Sequence, residues 1–146
     1  MKKNVVEYEG MTFAESISSE EIQQHVRRIA ASINADYAGT EPLFICVLNG
    51  AFMYAADLMK YITLPSEITF VRLKSYDGTE TTGKVNMLIP LQVDVKGRDV
   101  IVVEDIVDTG ITMRAFMNDL RAIGAKSVAL TSFLYKPDSL RYEEVT

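Results

Sequence analysis

Cysteine occurs once in these 146 residues, and so does histidine; both scarcities narrow what the chain can do. Cys46 alone cannot close an internal disulfide, and inside Phe44-Ile45-Cys46-Val47 it reads as a buried core thiol rather than a nucleophile. His25 falls within a helical pattern and reads as a surface residue, and no His/Cys cluster has the spacing of a zinc site. Basic tracts are absent too. At a net charge of −5 the chain lacks the electrostatic footprint of a nucleic-acid binder. Its longest uncharged apolar run, residues 43–56, is broken by Asn49 and Gly50 and is too short to cross a bilayer. Lys2 and Lys3 have no apolar segment behind them, so the N-terminus does not read as a secretory signal, and a cytoplasmic setting is expected. No repeat, low-complexity tract or linker is evident. A hydrophobic content of 48% suits a single domain, residues 1–146, with a real core.

What is present is an alternation of helical and strand patterns. Ser18-Ser19-Glu20-Glu21 can cap a helix running to about Asp36, with Ile22, Val26, Ile29 and Ile33 recurring on one face. Gly39 and Pro42 punctuate its end. Residues 43–48 read as a buried strand, 51–61 as a helix and 66–73 as a second strand. Residues 74–89, rich in Thr, Gly and charge, read as a long exposed loop with Gly78 and Gly83 as candidate hinges, a surface hairpin being the plainer alternative. A strand at 99–103, a helix at 113–123 stopped by Gly124, and a strand at 127–135 follow. This order implies an α/β fold with a doubly wound, mainly parallel sheet.

Residues 100–112, Val-Ile-Val-Val-Glu-Asp-Ile-Val-Asp-Thr-Gly-Ile-Thr, carry the chemistry. Four consecutive β-formers fit a strand buried on both faces. The adjacent carboxylates Glu104 and Asp105 follow at its carboxyl end, where they repel each other and call for hydroxyls, a metal or a cation. Asp108, Thr109, Gly110, Ile111 and Thr112 then lead into a helix. Their hydroxyls and backbone N–H groups can cradle a phosphate, with Gly110 allowing the tight turn. A plain helix N-cap is the bland reading of the same residues, and the two are compatible. Acids beside a phosphate cradle suggest a phosphorylated sugar.

The run resembles the phosphoribosyl diphosphate (PRPP) signature of type I phosphoribosyltransferases. Leu48-Asn49-Gly50-Ala51, Arg72-Leu73-Lys74-Ser75-Tyr76, and the Lys136 that closes the apolar run 128–135 lie in that family's order at plausible spacings. The hypoxanthine/guanine enzymes of purine salvage are the branch it most resembles. The resemblance implies a Rossmann-like fold and transfer of the 5-phosphoribosyl group from PRPP to hypoxanthine or guanine, giving IMP or GMP plus pyrophosphate, with Mg2+ required. It implies that Glu104 and Asp105 accept hydrogen bonds from the ribose 2′ and 3′ hydroxyls and meet the metal mainly through them. Asp108 would face purine N7 as general base, and residues 108–112 would hold the 5′-phosphate. Leu48, Asn49 and Gly50 would bind pyrophosphate through backbone N–H groups, in a turn that often contains a non-proline cis peptide. Ser75 and Tyr76 would open a lid formed by residues 74–89, and Lys136 would donate to O6 of the base. Arg72 and Lys74 fit lid anchors, subunit contacts or plain surface charges.

Many relatives carry lysine where this chain has Asn49, which leaves pyrophosphate to backbone donors. An ordinary strand-to-helix turn and a surface lysine are the plain alternatives at 48–50 and at Lys136. The family normally continues past residue 146, with a further core strand, a base-stacking aromatic residue, another acid and a basic residue, so the chain reads as C-terminally short. Relatives form dimers or tetramers, hence an expected homodimer or homotetramer. Phe52, Met53, Tyr54 and Met59 fit either an interface or the core. Two further readings keep the signature: a phosphoribosyltransferase for xanthine or a pyrimidine, and a non-catalytic PRPP- or nucleotide-binding regulatory module.

Overall fold

The computed structural model describes residues 4–74, 85–136 and 138. Helix α1, Ser19–Asp36, starts where Ser18 accepts a hydrogen bond from the Glu21 N–H at 3.1 Å, with Glu20 and Glu21 in the first turn, where the helix dipole favours acids. It buries Val26, Ala30 and Ile33. Strand β3, Leu43–Val47, is buried throughout, and helix α2, Phe52–Met59, buries Tyr54, Ala55 and Leu58. Strand β4 is Glu67–Leu73, β5 Met87–Ile89, β6 Asp99–Val107 and β7 Ser127–Tyr135; helix α3, Ile111–Ala122, joins β6 to β7.

The main sheet has the order β5-β4-β3-β6-β7. All neighbours are parallel except β5, which runs antiparallel to β4. Side chains alternate across a strand, and here the alternation divides the core in two. Leu43, Ile45, Val47, Val100 and Val102 pack with Met113, Phe116, Met117 and Leu120 of α3. Phe44, Cys46, Ile101 and Val103 pack with α1 and α2 on the other face. Both faces are therefore covered, as a doubly wound sheet requires. Tyr54 also ties α2 to β7, through a 2.5 Å hydrogen bond between its hydroxyl and that of Thr131 and through its ring, 5.6 Å from that of Phe133.

Several sequence expectations change. The strand expected at 99–103 continues to Val107, so Glu104 and Asp105 lie within it rather than beyond it. The continuation is held by β7, which pairs Glu104 with Ser132 and Ile106 with Leu134 after β3 has stopped. The loop expected over 74–89 contains β5 at its end, and residues 75–84 lie outside the described residues. Helix α3 begins at Ile111 rather than Met113, because Gly110, at φ +82°, is the N-cap. A hairpin not read from the sequence, β1 (Val5–Tyr8) and β2 (Met11–Ala14), turns at Glu9 and Gly10, both with positive φ.

Candidate functional site

The site forms because β3 is shorter than its neighbour. Pairing between the two strands ends at Cys46 and Val103, and the chain then leaves β3 through the turn Leu48–Gly50. Beyond Val103, β6 carries its acids past the end of β3. Strand order reverses between these two strands, since β4 lies on one side of β3 and β6–β7 on the other. Open parallel sheets take their ligands at such a switch point, outside the carboxyl ends of the strands.

The two acids differ in environment. Glu104 is buried, and its Oε1 accepts a hydrogen bond from the Asp105 N–H at 2.9 Å. Burial, followed by the side-chain hydrogen bond and charge of Asp105, pushes the Glu104 carboxyl up to about 8. Asp105 is half-buried, and its Oδ1 accepts from the Ile106 N–H at 2.7 Å. Beneath them, burial and then the Glu104 charge raise the Cys46 thiol to about 11, which suits an inert core residue.

Glu104, Asp105, Asp108, Thr109, Gly110 and Thr112 share one cleft of about 240 Å³. Ile111, which the sequence placed with them, does not line this cleft, and its N–H donates to Thr109 Oγ1 at 3.4 Å. The N–H groups of the first helical turn have no partners within the helix, so the entry to α3 is a natural anion seat. Gly50 lies on the other side of Asp105 and lines a second, largely apolar cavity of about 460 Å³, which Asp105 and Ile106 also line. Leu48 and Asn49 stand at the same turn, and the peptide bond between them is cis. Lys136 is brought to Asp108, with 3.7 Å between Nζ and Oδ2, and its N–H donates to the Val107 carbonyl at 2.9 Å. Both side chains of that pair stay more than half exposed. Ser75 and Tyr76 lie outside the described residues.

Lys74, which the sequence leaves open among lid anchor, subunit contact and surface charge, lines the cleft of the acids with Leu73, Val47 and Met113. Only the position of Lys74 at the carboxyl end of β4 points to this in the sequence. His25 is exposed and contacts Arg28 on its own helix.

Residues 14–144 match the family described as phosphoribosyl transferase domain. Over 122 residues the chain is 38% identical to the hypoxanthine-guanine phosphoribosyltransferase of Bacillus subtilis (strain 168), a match covering 83% of this chain and 68% of that one. The chain belongs to the hypoxanthine-guanine phosphoribosyltransferase family. A crystal structure of the hypoxanthine-guanine phosphoribosyltransferase of Bacillus anthracis superposes with a TM-score of 0.79 at 38% identity, covering 87% of this chain and 76% of that one. The bifunctional protein TilS/HprT of Listeria innocua is also 38% identical over 122 residues, although the match spans 19% of its length.

In this phosphoribosyltransferase no helix among the described residues is long and apolar enough to cross a membrane. Nor, among those residues, do three or more His, Cys, Asp or Glu side chains converge to hold a metal ion. Asp105, joined by Glu104 once that acid has shed its proton, still suits magnesium, a hard cation usually held by one or two protein acids, with water and substrate oxygens completing its shell.

Proposed function

We propose that this chain transfers the 5-phosphoribosyl group of PRPP to hypoxanthine or guanine, giving IMP or GMP and pyrophosphate. The observation that carries the reading is that an acid pair and a helix entry line a single cleft at the switch point of the sheet. Glu104 and Asp105 accept hydrogen bonds from the ribose 2′ and 3′ hydroxyls. The backbone of residues 109–112, with the Thr109 and Thr112 hydroxyls, holds the 5′-phosphate. Backbone N–H groups of Asn49 and Gly50 receive the pyrophosphate, whereas that of Leu48, which the sequence also offered, is taken by the Val71 carbonyl at 2.8 Å. Glu104 and Asp105 would hold a magnesium ion, mainly through the ribose hydroxyls, and when bound it supplies positive charge that offsets the diphosphate.

In the transfer the bond from ribose C1 to the diphosphate oxygen breaks and a bond from C1 to purine N9 forms. Asp108 takes the N7 proton. Lys136 donates to O6, which selects against the amino group of adenine because an ammonium cannot accept. The ion pair between Lys136 and Asp108 sets the proton acceptor beside the O6 donor before the base arrives. We read residues 1–146 as one domain acting in the cytoplasm, and the exposed Phe52 and Met53 of α2 as a face for a homodimer or homotetramer.

The test is to incubate the chain with PRPP and magnesium, offer hypoxanthine, guanine and adenine separately, and quantify the nucleotide formed. Product from the 6-oxopurines and none from adenine is expected. Asp108→Asn should lower turnover by roughly 10²- to 10⁴-fold while PRPP affinity changes little. Full turnover in that variant would remove Asp108 from proton transfer, and a folded chain that makes no nucleotide would overturn the activity.

A further inference from the structure

We propose that Gly50 is a positioning residue for Asp105: the missing side chain lets the ribose-reading carboxylate rest against the pyrophosphate turn and couples the two half-sites. The proposal rests on the function given above. A Cβ added at Gly50 would fall inside that carboxylate, 2.5 Å from Cγ and 3.1 Å from Oδ1, and closer still to Oδ2. Real Cβ atoms do not approach heavy atoms so closely, so the acid would have to move.

The usual alternative reason for a glycine does not apply. Glycines at 10, 39, 97, 110 and 124 have positive φ, where L side chains are strained, and Gly50 is not among them. Space rather than backbone conformation requires glycine here. The carboxylate is also tied down on its own strand, since Oδ1 accepts from the Ile106 N–H at 2.7 Å. Moving it therefore breaks or bends an existing hydrogen bond.

Gly50 follows β3 and Asp105 sits on β6, so the contact bridges the two strands that flank the switch point. A ligand group seated on the N–H groups of Asn49 and Gly50 thereby fixes the surface on which the ribose reader stands. Asp105 is also the wall shared by the sugar cleft and the apolar cavity behind it. Pushing it off Gly50 alters the cleft without any change to the residues of the phosphate cradle.

A double-mutant cycle separates this contact from a general structural role. Binding of PRPP with magnesium would be measured by titration calorimetry for the full chain and for its G50A, D105A and G50A/D105A variants. Each single variant is expected to bind at least tenfold more weakly than the parent, and the double variant no more weakly than D105A. A G50A chain that unfolds, but folds again when D105A is added, would support the contact equally. Wild-type affinity in G50A, losses that multiply in the double variant, or unfolding of G50A that D105A does not reverse would each overturn the contact while leaving the function standing. A parent chain that binds no PRPP would overturn the function, and this proposal with it.

Discussion

Among the described residues Glu104 is the acid whose titration is displaced furthest, and that displacement sets a pH dependence. Its carboxyl is raised from 4.5 to about 8, first by burial and then by Asp105. An acid raised in the folded state binds its proton more tightly there than in the unfolded chain. It therefore contributes stability that is fully present below about 4.5 and is lost as pH rises through about 8. Chemical denaturation at pH 5, 7 and 9 should show the free protein weakening across that window and Glu104→Gln weakening much less. Parallel pH profiles for the two proteins would mean that Glu104 is not held in its neutral form. The identity of the acid pair was legible in the sequence. The difference between its members was not, because it depends on Val103 and Glu104 sinking into the core while Asp105 stays at the cleft.

Among the elements, β3 and β6 were readable from runs of β-formers and the helices from their apolar spacing, but where β6 ends was not. Glu104 and Asp105 are poor strand formers, and they are strand residues because the β7 ladder continues past them. A ladder partner is information about distant chain. The hairpin β1–β2 was missed for a related reason: Val5, Val6, Tyr8, Met11 and Phe13 are all more than half exposed, so no buried face imposes an alternation to detect. Helix α3 is the element that bears the phosphate cradle, and it is fastened to the sheet by Phe116, which is wholly buried. Phe116→Ala should cost about 3–5 kcal/mol of folding stability, read as a lowered denaturation midpoint. A loss below about 1 kcal/mol would mean that α3 is held mainly by its other contacts.

For the whole molecule, the alternation of strands and helices announced the doubly wound class, and the order of motifs announced the family. Strand order could not be read directly, because nothing local records that the chain crosses back over β3 to lay down β6. That crossing places the turn after β3 and the acids of β6 on either side of one seam. A ligand that grips both should stabilise the entire fold. Saturation to one hundred times Kd should add about 2.7 kcal/mol, visible as a higher melting temperature with PRPP and magnesium together. An unchanged melting temperature at concentrations that saturate the calorimetric binding curve would show that the ligand does not discriminate folded from unfolded chain. The seam also has a kinetic side. Leu43 pairs with Val100, a junction far apart along the polypeptide, and such pairings form late because a long loop must first close. A nascent or refolding chain can therefore hold the β3–α2–β4 unit well before it holds a substrate seat. Catalytic competence would then be the last property the polypeptide acquires, and its appearance would serve as a clock for the closing of the sheet.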